Sequence, residues 1–279
     1  MNYKIKYYDY SLKIINLFFA LVFITACKKT ESANSNPSSV SLKSGLQTYY
    51  LFNSNANDES GNGNNGTIIN ASITKDRFNN INSAINFSGT NGYKVTTNYK
   101  GIISDQSRTI AFWSKISADF INHTSIINYG GDPNIGQQDF NIFISTLGGN
   151  GSPYIGVMLS NPGAYVGSYF SGLKDGKWHH YAFIHDNTNG STLDKIKIYI
   201  DGILVSNNVS YYTPKIPTPV TINTYQNLSM VMGQYTSYNG TTSGSFRSFT
   251  GDLDDLGVWN RALSQLEISS LFNQSFLPK

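Results

Sequence analysis

Cysteine occurs once in the 279-residue chain, at Cys27, and glutamate three times, at Glu31, Glu59 and Glu267. One thiol cannot close an intramolecular disulfide or supply a multi-thiolate zinc site. Charged residues make up only 13% of the chain, and no basic patch with interleaved aromatics occurs, so nucleic-acid binding finds no support. Histidine is limited to His123, His179, His180 and His185. Internal repeats are absent. One long apolar run is present, Ile14–Ile24, shorter than the ~20 residues that span a bilayer. What remains is rich in Asn, Ser, Thr, Gly and Tyr, with 14% aromatics. That mixture favours short strands and tight turns over long amphipathic helices.

The apolar run follows Lys4, Lys6 and Lys13 and leads into "ITAC", Ile24–Cys27. A basic start, an apolar core and a small residue before cysteine resemble a bacterial lipoprotein signal ending in a lipobox. The resemblance implies cleavage before Cys27 and lipidation of its thiol; the alternatives are an ordinary secretory signal or an uncleaved anchor. Residues 1–26 are thus expected to be a signal peptide. Their loss removes three lysines against Asp9 and lowers the formal net charge from +3 to about +1. Residues 27–44, Ser- and Asn-rich without periodicity, are expected to be a flexible tether. The implied address is the cell envelope, lipid-anchored, in the outer membrane and surface-exposed.

From residue 45 to 279 short apolar runs alternate with turn clusters. Strands are predicted at 46–52, 83–88, 108–116, 124–130, 140–146, 154–160, 178–186, 194–200, 203–209, 228–234 and 249–259. So many short strands argue an all-β, two-sheet antiparallel jelly-roll sandwich in a single domain. Asp201-Gly202 between two β runs predicts a tight hairpin. "SQLE", Ser264–Glu267, is a capping box that predicts one short C-terminal helix with Leu266, Leu271 and Phe272 on its apolar face.

Six stretches in order carry a family likeness: "YYLFNSNANDESGNGNNGTI" (49–68), "AINFSGTNGYKV" (84–95), "TIAFWSKI" (109–116), "DGKWHHYAFIHD" (175–186), "KIKIYIDGILV" (195–205) and "GDLDDLGVWNRALSQLEISSLF" (251–272). Together they resemble LamG-like jelly-roll domains of the concanavalin A-like lectin/glucanase superfamily, across nearly all of the chain after the tether. The stretches 187–194 and 210–227 look like insertions that vary within the family.

The loop 55–66 is dense in Asn, Asp and Gly, and such a loop can aim several oxygens at one point, as calcium requires. The resemblance places a calcium site between this loop and the closing strand. Carried over, Asp58 and Asp254 become candidate ligands and Asn62 a third, holding a structural Ca2+. The alternative is a loop of Asx-turns capping its own backbone. Asp252 and Asp254, two apart on a strand, share a face and stand about 6.5–7 Å apart. They are the one candidate pair for a glycoside hydrolase. Glucanases on this fold carry Glu-x-Asp-x-Glu or Glu-x-Asp-x-x-Glu on a strand, and none of the three glutamates lies in such a motif. Catalytic residues are therefore expected to be absent.

His179 and His180 point to opposite strand faces, and His179 and His185 lie ~20 Å apart, so they cannot grip one ion. Tyrosine offers rings that stack on sugars. Tyr154, Tyr165, Tyr169, Tyr211 and Tyr212, in stretches read as variable loops, form the candidate ligand surface. The expected function is non-catalytic binding of a polysaccharide or glycan, with a protein-binding adhesion module as the alternative.

Overall fold

The computed structural model describes residues 42–90, 92–120, 123–132, 135–146, 152–211, 219–237, 241–242 and 248–273. Cys27 and the expected signal peptide lie outside the described residues.

Two eight-stranded antiparallel sheets dominate. The first contains β1 (Leu46–Tyr50), β3 (Ser72–Thr74), β4 (Ala84–Ser88), β6 (Arg108–Ile116), β11 (Trp178–His185), β12 (Lys197–Ile200), β13 (Ile203–Val205) and β18 (Thr250–Trp259). Its order is β13-β12-β11-β6-β18-β4-β3, and β1 pairs with the C-terminal half of β18 where β4 leaves off. The second contains β2 (Gly66–Ile69), β5 (Lys94–Thr97), β7 (His123–Gly130), β8 (Asp139–Ser145), β9 (Tyr154–Leu159), β10 (Ala164–Tyr169), β14 (Val209–Tyr211) and β15 (Leu228–Met232), in the order β14-β10-β9-β8-β7-β15-β5-β2. A small hairpin, β16 (Thr236–Ser237) with β17 (Thr241–Thr242), stands apart.

Alternation decides which side chains enter the core. Ile110, Phe112 and Ile116 of β6, Tyr181 and Phe183 of β11, Phe140, Ile142 and Ile144 of β8, and Ile155, Val157 and Leu159 of β9 meet between the sheets. Each fully buried side chain of this size stabilises the fold by about 1.5–3 kcal/mol relative to exposure. On β18 the alternation breaks. Leu253 and Leu256 both face the core because a bulge falls between Asp254 and Gly257, with Asp255 at φ +46°. At one end of the core, the buried Arg108 donates to the carbonyls of Ile102, Ser104 and Gln106 and to Thr224 Oγ1, tying that loop down without a carboxylate.

The expected hairpin forms at Asp201-Gly202, both at positive φ, between Ile200 and Ile203. The helix α1 (Gln265–Asn273) starts at the expected box. Ser264 N–H and Oγ–H donate to Glu267 Oε2, and Glu267 N–H returns a bond to Ser264 Oγ. Its apolar face needs correction: Ile268 and Leu271 are buried, and Leu266 is 63% exposed. Positions 266 and 271 lie about 140° apart around a helix, so they cannot share one narrow stripe. The packed domain also begins earlier than Gly45. Leu42 is buried, its carbonyl accepts the Trp259 indole N–H at 2.6 Å, and the Ser44 carbonyl accepts from Arg261. Every residue of the three buried clusters lies between Leu42 and Leu271, so a chain from Asn36 onward carries its whole core.

Candidate functional site

The outer face of the second sheet has two zones. Tyr154, Tyr165 and Tyr169 come together at one end. Tyr154 stacks on Tyr165 at 6.0 Å between ring centroids and meets Tyr169 edge-on at 5.8 Å; Phe143 stands edge-on to Tyr154 and Tyr165. Tyr154 and Phe143 are buried, while Tyr165 and Tyr169 stay partly open. Facing glycines let β9 and β10 approach closely beneath these rings. Gly156 pairs with Gly167, and a Cβ on Gly156 would collide with the Val166 carbonyl. The strand expected at 154–160 forms as β9, and the stretch after it, read as variable loop, returns as β10 in a hairpin, because alternate Ile155, Val157, Leu159 and Val166 fill the core. Tyr211 lies opposite Tyr165 in the β10–β14 ladder. Tyr212 lies outside the described residues.

Beyond the rings runs a buried polar row. Ser125 Oγ donates to Asn141 Oδ1, and Asn128 Nδ2 donates to Ser125 Oγ and to the Gln234 carbonyl. Asn141 Nδ2 is buried and finds no acceptor among the described residues. Asp139 accepts from Ser160 N and Oγ, and Tyr235 donates to that same Oγ. Burial pushes the Asp139 carboxyl up to about 6, despite the two Ser160 donors. Asp139 and Asn141 escaped the sequence reading. Their signal was faint: polar residues at alternate positions in the run Asp139–Ser145 mark an outer face.

The expected calcium ligands do not assemble. Tyr49 turns its N–H to Asp58 Oδ1 and its carbonyl to the Glu59 N–H, both on the side of β1 away from β18. Asp58 therefore lies across β1 from Asp254. Its two oxygens accept the N–H groups of Tyr49, Ser60 and Asn64. Partial burial would raise its pKa, but these donors outweigh it and leave the carboxyl below its usual value. Asn62 spends its amide on the carbonyls of Leu46 and Gln47. Asp254 is buried against Arg77, 3.0 Å away, and Arg77 also reaches Asp255 at 2.7 Å. A cation already stands where the metal would have to sit. Among the described residues no three His, Cys, Asp or Glu side chains gather as metal ligands. The Asx-turn alternative describes the loop: Asp58, Asn55 and Asn65 all bond nearby backbone amides.

Asp252 does share the outer face with Asp254, and both carboxylates are engaged. Asp252 accepts Asn86 Nδ2 at 2.6 Å and faces Lys115 Nζ at 2.6 Å. The bulge at Asp255 turns a third acid to the same side, where Arg77 meets two of them. Arg77 itself was missed, because it lies far from β18 in sequence and in no motif. His179 sits between Asp201 at 2.7 Å and Asp175 at 3.3 Å, with its pKa raised first by the Asp201 hydrogen bond. His180, on the opposite face as expected, is buried beside Trp113 and held down to about 3 by burial. His185 bonds the Asp105 carbonyl.

Two antiparallel sheets closed over a single core, with the first and last strands paired, define a jelly-roll module of the lectin type. The chain belongs to the Laminin_G_3 family of the concanavalin A-like lectin/glucanases superfamily, whose profile matches residues 87–269. It is 30% identical over 164 residues to the sushi, von Willebrand factor type A, EGF and pentraxin domain-containing protein 1 of Rattus norvegicus. That match covers 58% of this chain and about 4% of the rat protein's length. Domain 4 of AbnA, a GH43 extracellular arabinanase from Geobacillus stearothermophilus solved in complex with arabinotriose, superposes with a TM-score of 0.54 at 22% identity, over 81% of this chain and 97% of that one. The botulinum neurotoxin serotype D ligand-binding domain, in complex with N-acetylneuraminic acid, gives 0.56 at 16% identity, over 84% and 52%.

Proposed function

We propose that this chain is a non-catalytic glycan-binding module, tethered to a bacterial envelope surface by lipid on Cys27. The observation that carries the reading is the tyrosine platform of the second sheet. Tyr165 and Tyr169 keep partly open rings, held upright by buried Tyr154 and Phe143, at the edge of a row of neutral amides and hydroxyls. A sugar presents a flat C–H face to such rings and hydroxyls to such amides. The neighbours solved with arabinotriose and N-acetylneuraminic acid support the ligand class. Hydrolysis is disfavoured because Asp252 and Asp254, the one paired-carboxylate candidate, face Lys115 and Arg77.

Affinity electrophoresis of the chain from Asn36 onward, through gels containing arabinan, xylan or β-glucan, tests the platform. At least one polysaccharide should retard the wild-type chain, and Tyr165→Ala with Tyr169→Ala should lower that retardation. Retardation unchanged in that double variant removes the platform from the reading. For the anchor, Cys27→Ala should move the full-length protein from the membrane to the soluble fraction.

A further inference from the structure

The first sheet also has an outer face, and α1 covers only part of it. Leu42, Ala111, Ala182, Ile184 and Trp259 pack with Ile268 and Leu271 of the helix. Beside it lies an open groove of about 310 Å³, lined by Arg77, Phe78, Trp113, Trp178, Phe272 and Asn273. This volume falls within the about 300–1,000 Å³ of small-molecule sites.

The groove is a built structure. Asp76 accepts the N–H groups of Phe78 and Asn80 and the Asn80 side-chain amide, fixing the turn that carries Arg77 and Phe78. The Arg77 guanidinium, anchored on Asp254 and Asp255, lies 4.5 Å from the ring centroids of both Trp113 and Phe78. Phe272 stacks on Trp113 at 5.7 Å. Trp113 is therefore a floor, sandwiched and unavailable. Phe78 and Trp178 are the walls. Phe78 is 58% exposed, an unusual position for a phenylalanine on a pinned turn. Lys115 Nζ stands 5.5 Å from the Trp178 ring and also lines a neighbouring hollow of about 430 Å³ with Asn86 and Asp252. The Lys115–Trp178 contact is the shared wall of the two hollows.

Charge selects the ligand. Arg77 is matched by two carboxylates and Lys115 by Asp252, so among the described residues an incoming anion finds no unmatched cation lining the groove. The carboxylates lie beneath their partners, nearly inaccessible, which leaves a cation nothing to reach. An entirely apolar ligand would cover the Lys115 ammonium and the Asn273 amide without replacing their water. A neutral ligand with flat C–H faces and a rim of hydroxyls satisfies both sets of groups.

We infer that this groove is a second sugar-binding surface, taking an unbranched neutral oligosaccharide laid across Trp178, its ring faces against Phe78 and Trp178 and its hydroxyls toward Asn86, Lys115 and Asn273. The inference shares its ligand class with the glycan-binding reading above, but not its site.

Three tryptophans make the test direct. The chain from Asn36 onward, labelled with 5-fluorotryptophan, gives one 19F resonance each for Trp113, Trp178 and Trp259, assigned by single Trp→Phe variants. Arabinohexaose, xylohexaose and cellohexaose are the probes. At least one should move the Trp178 resonance saturably and leave Trp259, buried on the Leu42 carbonyl, in place. Phe78→Ala, at an exposed position that tolerates truncation, should weaken that response roughly tenfold. The response should survive Tyr165→Ala with Tyr169→Ala. A Trp178 signal silent to all three hexaoses at millimolar concentration overturns the second surface, as does a response unaffected by Phe78→Ala or lost with the tyrosines. Binding at the tyrosine platform with Trp178 silent rejects this inference alone. Absence of binding at either face rejects the glycan reading as well.

Discussion

The two outer faces of the sandwich bury polar groups by opposite means. On the first sheet the charged groups are buried in pairs, Arg77 clasped by Asp254 and Asp255 and Asp252 by Lys115, beside the neutral Thr109 and His180. On the second they are almost all neutral: Ser125, Asn128, Asn141 and Gln234, with Asp139 pushed toward its protonated form. A buried ion is tolerable only with its partner in place, so the first face is locked. The neutral hydroxyls and amides of the second face are just as buried but bond one another, so nothing there depends on a counter-ion. Aromatic rings follow the same division. Trp113 carries a guanidinium over its ring, whereas Tyr165 and Tyr169 pack on the rings of Phe143 and Tyr154.

The lock is the place where the comparison breaks most readily. Arg77→Met leaves the buried Asp254 and Asp255 without their cation, which should cost about 3–5 kcal/mol in urea unfolding. Adding Asp254→Asn and Asp255→Asn should recover most of that loss, because the uncompensated charge is then gone. A triple variant no more stable than Arg77→Met would mean that the arginine acts through packing on Trp113. Polysaccharide retardation through the tyrosine platform should be the same in the triple variant as in the wild type, since that platform draws nothing from the lock.

Opposite pH signatures sharpen the comparison. Asp139 has a folded pKa of about 6, above its unfolded value near 3.9, so its contribution is fully present below about pH 3.9 and is lost as pH rises through 6. His180, on the other face, is depressed to about 3 from an unfolded value near 6.5. Its contribution is present above pH 6.5 and drains away as pH falls toward 3. Asp139→Asn mimics the neutral acid. The stability difference, wild type minus Asp139→Asn, should fall between pH 4 and pH 7 by on the order of 3 kcal/mol, at about 1.4 kcal/mol per pKa unit. Wild type minus His180→Gln should fall in the other direction, from pH 6.5 downward. Melting temperatures measured across pH 4–8 on both variants check the signs; parallel slopes would erase the distinction between the faces.

How much of this could be read in advance follows the range of each interaction. Signals carried by neighbouring residues came through: the Asp201-Gly202 hairpin, the Ser264–Glu267 box and the alternation in β6, β8 and β11; the return of the last strand beside the first came only with the family resemblance. The strands β2, β3 and β5 were missed, being three or four residues long with no apolar alternation to mark them. The site was less legible, because its contacts are distant in sequence. Nothing around residue 77 announces that its guanidinium will meet Asp254, so Asp254 looked like an open ligand. One inserted residue, the bulge at Asp255, turned neighbouring acids to one side, and no local pattern predicts it. The tyrosines were found by their chemistry, but the hairpin that aligns Tyr154, Tyr165 and Tyr169 came from the core-facing residues between them.

The smallest expected effect concerns the cover that distinguishes the first face. Glu267 holds the start of α1 twice: it accepts from Ser264 N–H and Oγ–H, and it pairs with Arg261 through both oxygens, at 2.6 and 3.0 Å. Glu267→Ala removes both and should cost about 1–2 kcal/mol, the usual range for a lost helix cap. Glu267→Gln separates them. Glutamine still accepts from Ser264 in a capping box but gives up the charge that Arg261 sees. Arg261 is partly exposed, and ion pairs near the surface contribute about 0–1 kcal/mol, so the glutamine variant should lose at most half of what alanine loses. Equal losses, measured by urea unfolding at neutral pH, would assign the anchoring of α1 to the Arg261 pair. The helix would then be held, like the rest of its face, by charge and not by its cap.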